Sequence, residues 1–342
     1  MSRVISSLAF SAALAIPGSA HAAAWHPVQL PYLWPNSGLN AVAATGPDGV
    51  WVVGHQGQLI LSPPINTITP GSPVVRRWNG TRWLEYPLTG WSSSGTLGAV
   101  TADPRGEVWV STPEDSHQNN YLARFTGTAF EAVQPPPGNE AVIKDSGPAG
   151  AWVWTGWGDG ELFRRTGSTW TRTPLPSNFS MLGDVAAYSA TSVWAVGFSG
   201  WDHYAIARWD GSAWHDVPAP ASSGNNPGTT SRIVPVGPEE FWLANAYEVS
   251  HYKAGTWTIT DPAATTWISD LAVDSTGRVW LAAQAAANEG SVGLFTFDGT
   301  TAQPVATPAG HSANAITAVP GSPAVWTAGS SAQGKAGVLT NG

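Results

Sequence analysis

A short pattern, Val-Trp-Val-x-Gly, recurs seven times with small variations along the 342-residue chain. Its tryptophans are Trp51, Trp109, Trp152, Trp194, Trp242, Trp280 and Trp326, with a mean spacing of about 46 residues. Each copy follows a short apolar run such as LNAVAA or ISDLAV, and precedes a hairpin-like segment such as ARWDGSAWHDVPAP. Every unit therefore contains four short strands separated by turn residues.

The size and content of this unit predict the fold class. Four strands in a unit of about 40–50 residues are typical of a β-propeller blade, so seven units predict an all-β, seven-bladed propeller of four-stranded antiparallel blades. A solenoid of stacked repeats is the rival architecture. It needs atypical polar repeats as caps, and neither end of the repeat array has that character.

The seventh unit contains only three of its four strands and stops at Asn341-Gly342, a dipeptide typical of tight hairpin turns. The segment AAWHPVQLP, residues 23–31, matches the fourth strand of other units, such as SAWHDVPAP. We therefore expect the N-terminal strand to pair with residues 338–341 and complete the last blade. This closure would remove the open sheet edges of the ring.

Residues 1–22 have the features of a Sec-type signal peptide. Arg3 supplies the positive charge, ISSLAFSAALAI forms the apolar region, and Ala20-His21-Ala22 is an A-x-A cleavage site. The alternative is a buried N-terminal helix. The first interpretation predicts a secreted propeller of residues 23–342 in which no later stretch is long and apolar enough to span a membrane.

The charge and cysteine content exclude several classes of partner and site. Without Arg3 the chain has 14 basic and 23 acidic residues, a formal net charge of −9, which argues against nucleic acid and anionic lipid as partners. The absence of cysteine excludes disulfides and zinc–thiolate sites. No cofactor is predicted, and a monomer is expected. Loop carboxylates could serve as calcium ligands, but no ligand spacing supports such a site.

The blades most similar to one another also resemble a known family. VWAVG followed by ARWDGSAWHDVPAP, and VWVVG followed by RRWNGTRWLEYP, are similar to the repeats of secreted actinobacterial β-propeller proteins, which read VWAVG…HWNGTSWSVVPSP. The resemblance covers the chain from residue 23 onward and is weakest in the sixth unit, where Ala302 replaces the fourth-strand aromatic residue. It implies the fold and secretion, but no activity and no catalytic residues.

Five tryptophans lie outside the repeat positions: Trp34, Trp91, Trp157, Trp201 and Trp267. Each falls between second and third strands or between blades, and in a propeller these connections open on one face. One interpretation is that they pack beneath long loops. The other is that they form exposed aromatic platforms near the channel mouth, since large exposed apolar surface usually marks a binding site.

A polar sector is predicted in the fourth to sixth blades. The residue before the first-strand Val, Leu or Ile is Ala41, Ala99, Ala141 and Ala315 in four blades, but Asp184, Arg232 and Asp270 in the other three. One interpretation is a structural ion-pair network. The other is a polar site with a carboxylate available for ligands or acid–base work, in which the arginine should lower the carboxylate pKa values. Neighbouring loops add further candidates: Asp202, His203, Tyr247 and Glu248.

Three functional hypotheses follow. The first is an extracellular binding module that holds a glycan, a cell-envelope polymer or a small molecule through the five tryptophans, Asp202, Tyr247 and Glu248. The second is a secreted hydrolase or lyase acting on a polysaccharide, glycoside or natural product, with Asp184, Arg232, Asp270 and His203 as its site; two carboxylates flanking a glycosidic bond are the usual arrangement in glycosidases. The third is a protein-interaction scaffold. The sequence leaves the ligand, turnover and metal dependence open.

Overall fold

The protein is an all-β, seven-bladed propeller. The computed structural model describes residues 24–61, 67–69, 71–91, 94–113, 120–138, 140–156, 160–200, 203–219, 232–286, 288–331 and 333–342. Within these ranges every regular element is a strand, and the strands form seven four-stranded antiparallel sheets. No helix in the described part of the chain is long and apolar enough to cross a membrane. The predicted fold class is confirmed.

Each blade is built from consecutive strands, the first of which is innermost, and the blades are numbered 1 to 7 along the chain. Blade 1 contains β2 (Gly38–Ala44), β3 (Val50–Gln56), β6 (Ser72–Trp78) and β7 (Trp83–Glu85), with a small hairpin of β4 (Ile60–Leu61) and β5 (Thr67–Ile68) between β3 and β6. Blade 2 contains β8 (Ala99–Ala102), β9 (Val108–Ser111), β10 (Leu122–Phe125) and β11 (Phe130–Ala132), and blade 3 contains β12 (Ala141–Asp145), β13 (Trp152–Thr155), β14 (Glu161–Thr166) and β15 (Thr169–Arg172). Blade 4 contains β16 (Met181–Ser189), β17 (Ser192–Ser199), β18 (His203–Trp209) and β19 (Trp214–Asp216), and blade 5 contains β20 (Arg232–Gly237), β21 (Glu240–Ala244), β22 (Val249–Lys253) and β23 (Thr256–Thr260). Blade 6 contains β24 (Thr265–Val273), β25 (Val279–Ala285), β26 (Asn288–Phe297) and β27 (Ala302–Pro304), and blade 7 contains β28 (Ser312–Ala318), β29 (Val325–Ser330), β30 (Ala336–Thr340) and β1 (His26–Pro27).

The repeated tryptophans form the contacts between blades. Six of the seven are buried, and each ring meets an aromatic side chain of the next blade. Trp51 packs edge-on against Phe125, with ring centroids 4.8 Å apart, and Trp152 does the same with Trp214 at 5.3 Å. Trp242 is the partly exposed member, and it meets Phe297 at 6.0 Å. Edge-on aromatic pairs of this kind fill the space between blades and stabilise their packing.

The N-terminal strand closes the ring as predicted. β1 pairs antiparallel with β30, with His26 opposite Thr340 and Pro27 opposite Leu339. The backbone N–H of Val28 also donates to the carbonyl of Val338 at 3.0 Å. Trp25 is buried and packs edge-on against Trp280 of blade 6 at 5.5 Å. The seventh blade is therefore built from both ends of the described chain.

Candidate functional site

The innermost strands of all seven blades surround a central channel. A cavity of about 450 Å³ lies within it and is lined by residues from every blade, including Ala41, Asp184, Arg232, Asp270 and Ala315. The innermost strand of a blade has no sheet neighbour on its channel side, so its backbone groups there need other hydrogen-bond partners. This edge is where the predicted polar sector lies.

Asp184 connects blade 4 to blade 5. Its Oδ1 accepts a hydrogen bond from the N–H of Val185 at 3.0 Å, and its Oδ2 accepts one from the N–H of Ile233 at 3.2 Å. The backbone irregularity between Leu182 and Asp184 places the side chain on this edge. Asp184 is therefore a buried link between two neighbouring innermost strands.

Asp270 makes the equivalent connection from blade 6 to blade 7. Its Oδ1 accepts from the N–H of Leu271 at 2.9 Å, and its Oδ2 accepts from the N–H of Ile316 at 2.9 Å. Arg232 of blade 5 completes the cluster, because its Nε lies 3.3 Å from Oδ1 of Asp270 while 45% of its side chain remains accessible. The structure thus brings Asp184, Arg232 and Asp270 to one level of the channel.

The pKa of both carboxyl groups is raised. Burial is the main cause, and it outweighs the lowering effects of Arg232 and of the backbone hydrogen bonds. The expectation that these carboxylates would have lowered pKa values is wrong, although Arg232 acts in that direction. It considered only the nearby charge and not the loss of hydration at the strand edge.

Two further charged residues in the channel escaped the sequence analysis. Lys144 of blade 3 donates to the carbonyl of Gly183 at 3.1 Å. Its neighbour Asp145 accepts from the N–H of Gly147 at 3.0 Å, and burial, aided by repulsion from Asp184, raises the pKa of Asp145 to about 7. In blades 2 and 6 the equivalent strand-end residues, Asp103 and Asp274, form turns. Asp145 therefore matched the repeat as a turn residue, and the sequence did not indicate that it faces the channel.

An aromatic pair lies beside this cluster. Trp267 and Tyr247 meet edge to face, with ring centroids 5.7 Å apart. Trp267 belongs to the innermost strand β24, three residues before Asp270, and Tyr247 follows β21 of blade 5. A hydrogen bond of 2.8 Å from the N–H of Ile268 to the carbonyl of Ala246 holds the two segments together. Both rings are partly exposed.

Glu248 lies beneath this face instead of on it. Asn245 folds the chain back, because its Oδ1 accepts the N–H groups of both Tyr247 and Glu248 at 2.6 Å. The side chain of Glu248 is consequently buried. The pKa of the Tyr204 hydroxyl is raised, mainly because that hydroxyl is itself buried and also because of the nearby charge of Glu248. The same turn that exposes Tyr247 therefore removes Glu248 from the surface.

The remaining candidates do not converge on the cluster. Trp91 is partly buried and packs edge-on against Tyr121, with ring centroids 4.6 Å apart. Trp34 is exposed on blade 1, two blades from Trp267. His203 is exposed at the start of β18, opposite Ser199. Trp157, Trp201 and Asp202 lie outside the described residues. Within the described ranges, no group of three or more His, Asp or Glu side chains is arranged to hold a metal ion.

Comparison with known proteins supports the fold. No family model and no curated protein matches the chain. Among solved structures, the WD40 β-propeller domain of Doa1 has a TM-score of 0.61 and 11% identity, covering 93% of this chain and 95% of that one. YCF48 bound to D1 peptide has a TM-score of 0.61 and 16% identity, covering 92% and 95%. The extracellular domain of a B. thetaiotaomicron protein has a TM-score of 0.59 and 11% identity, covering 92% of this chain and 40% of that one.

Proposed function

We propose that this protein is a secreted propeller that binds a glycan or cell-envelope polymer at the channel mouth between blades 5 and 6. The observation that carries the proposal is the partly exposed Tyr247–Trp267 pair, whose Trp267 lies on the same innermost strand as Asp270 of the Arg232–Asp270 ion pair. Aromatic ring faces carry negative charge density and attract the polarised C–H groups of a sugar ring. Charged groups next to an apolar platform then fix orientation, as in most ligand sites.

The predicted signal peptide supports an extracellular location, and so does the resemblance to secreted actinobacterial repeats. One structure with the same fold holds a peptide, so a peptide is the second ligand class for this face. Propellers serve many functions, however, and the fold alone does not choose among them.

The enzyme hypothesis receives less support from the geometry. Each carboxylate that it would use, Asp184 and Asp270, already accepts a backbone N–H on both of its oxygens. A general acid or nucleophile must move its proton or attack through one of those oxygens. Such a step would compete with the contacts between blades.

The test is retention of the purified protein on immobilised glycans and cell-wall polymers, with product release assayed in the same wells. Trp267→Ala and Tyr247→Ser should each weaken retention by about tenfold, because a buried aromatic contact is lost. Tyr188→Ser is the matched control, since Tyr188 is 46% exposed at the other end of the innermost strands, where it lines a separate cavity.

The outcomes separate the hypotheses. Retention that Trp267→Ala leaves unchanged would contradict the proposed site. Product release that is lost in Asp184→Asn, in a variant that remains folded, would favour the enzyme. Retention on none of the polymers would refute the glycan proposal and direct the search to peptides.

A further inference from the structure

A second surface on the same face of the ring lies outside the proposed ligand site. Five of the eight most exposed large apolar side chains among the described residues belong to two loops of blade 1, and they are 40% to 76% exposed: Tyr32, Trp34, Leu59, Leu61 and Ile68. We call these five residues the blade 1 patch. A concentration of exposed apolar side chains in neighbouring loops usually marks an interaction site.

The blade 1 patch rests on an ordered framework. The N–H of Trp34 donates to Oε1 of Gln56 at 3.0 Å, and the side-chain amide of Asn36 donates to the carbonyl of Gln58 at 2.7 Å. Gly57 has a φ of +68°, and a Cβ there would lie 3.0 Å from the Trp34 ring, so the two loops fit closely only with glycine at this position. Leu59 and Ile68 are fixed by the β4–β5 hairpin.

A groove continues from the blade 1 patch towards blade 7. A cavity of about 500 Å³ lies between residues 27–33 and residues 331–338, with Tyr32, His311 and Lys335 in its lining. The N–H of Ala336 donates to Oγ of Ser37 at 3.4 Å across this junction. The surface is therefore concave and can accept side chains from a partner.

Charge distinguishes this part of the face from the rest. Residues 24–85 and 305–342, which form blades 7 and 1, contain two acidic residues, Asp48 and Glu85, and four basic residues. Residues 86–304 contain 21 acidic and 10 basic residues. The segments between second and third strands contain at least one Asp or Glu in each of blades 2 to 5, although Glu248 of blade 5 is buried. The corresponding segments of blades 6, 7 and 1 contain none, and the one in blade 7 includes Lys335.

We infer that the blade 1 patch and the adjoining groove bind a peptide segment of a partner protein that combines apolar side chains with carboxylates. Apolar side chains fit the patch, and carboxylates are attracted to Lys335 and repelled by blades 2 to 6. This repulsion also keeps the segment on blades 7 and 1. A flat anionic membrane fits less well, because it would meet the acidic blades as well as the patch.

The test measures fluorescence anisotropy of three labelled 12-residue peptides with the purified protein: three repeats of Phe-Asp-Leu-Gly, of Phe-Lys-Leu-Gly and of Asn-Asp-Ser-Gly. The first should bind about tenfold more tightly than either of the others, since only it supplies both apolar contacts and matching charge. Its affinity should fall with rising salt.

Variants locate the binding. Tyr32→Ser and Ile68→Ser should each weaken binding of the Phe-Asp peptide by about fivefold or more. Tyr188→Ser is the control and should leave binding unchanged, because Tyr188 is exposed but lies outside the blade 1 patch. Lys335→Glu should move the preference towards the Phe-Lys peptide. Equal binding of the acidic and basic peptides, or no effect of Tyr32→Ser and Ile68→Ser, would overturn the proposal. So would binding to phosphatidylserine vesicles without binding to the Phe-Asp peptide.

Discussion

The carboxylates of Asp184 and Asp270 each accept one hydrogen bond from their own strand and one from the next blade. The equivalent residue is alanine in four of the five other blades and Arg232 in blade 5, and an alanine cannot bridge blades in this way. The contact is stabilising because the N–H groups on the channel edge would otherwise lack protein partners. The two residues are thus fixed by structure before any ligand is considered.

Asp270→Asn should lower the free energy of unfolding by about 1–3 kcal/mol, because the amide replaces one acceptor oxygen with a donor and removes the ion pair with Arg232. Urea unfolding at pH 7 measures this. The exposed Asp261→Asn is the control and should shift stability by less than about 0.5 kcal/mol. Equal stability of the two variants would show that the Asp270 contacts contribute nothing.

Asp145 predicts a pH dependence. Burial raises its pKa to about 7 in the folded protein, so the folded state keeps a proton that the unfolded chain releases near pH 4. The contribution of Asp145 to stability is therefore largest below about pH 4 and decreases as the pH rises to about 7. Above about pH 7 this contribution no longer changes with pH. Asp145→Asn preserves the acceptor for Gly147 and should flatten this part of the profile.

The measurement compares urea midpoints of the parent and Asp145→Asn at pH 5 and pH 8. The parent should lose more stability than the variant between these values. The variant should be the more stable protein at pH 8, because it buries no charge at this position and removes the repulsion from Asp184. An identical change with pH in both proteins would contradict the raised pKa.

At the scale of single elements, the short strand β1 contributes more than its two residues suggest. Trp25, just before it, is buried against Trp280, while Trp34, nine residues later, is exposed. Trp25→Ala should cost about 3–5 kcal/mol through the cavity it leaves in the core. Trp34→Ala should cost less than about 0.5 kcal/mol. Urea unfolding of both variants distinguishes these outcomes, and similar losses would mean that β1 does not close the ring in solution.

The same two tryptophans show what the sequence could and could not predict. Trp25 occupies a repeat position, so its partner strand followed from comparison with the other blades. Trp34, Trp91 and Trp267 have no repeat counterparts, so the repeat does not predict their surroundings. In the structure Trp34 is exposed, Trp91 packs against Tyr121, and Trp267 pairs with Tyr247. Position relative to the repeat predicted which residues are unusual, but not whether they are accessible.

The polar sector shows the same limit. Substitution of alanine by Asp184, Arg232 and Asp270 predicted where charge would enter the channel, since the register is shared by all blades. The direction of the pKa shifts depends on how far burial removes water from each carboxylate, and this is a property of the folded channel. Glu248 was misplaced for a related reason, because the Asn245 turn that buries it is local and does not repeat.

At the scale of the whole molecule, the ring separates two surfaces on one face. Tyr247 and Trp267 lie next to acidic blades, whereas the blade 1 patch lies in the sector of lowest acidic content. The two proposed sites use different residues, so their variants should act independently. Trp267→Ala should leave binding of the Phe-Asp peptide unchanged, and Ile68→Ser should leave glycan retention unchanged.

Closure by strand pairing also predicts that the ring can be opened at another blade. In blade 4, Arg208 pairs with His215 across a connection of six residues, and in blade 7 Thr340 pairs with His26 in the same way. A two-residue Gly-Ser linker from Gly342 to Ala24 would therefore give blade 7 a connection of equal length. New termini between Gly167 and Ser168, in the exposed turn between β14 and β15, would make blade 3 the closing blade. Because the same strand pairs form in both chains, the free energy of unfolding of this permutant in urea should lie within about 1 kcal/mol of that of the parent.

The control has the same new termini but no linker. It should fail to fold cooperatively, since it consists of two unconnected chains. A permutant much less stable than the parent would show that blade 7 is specialised for closure.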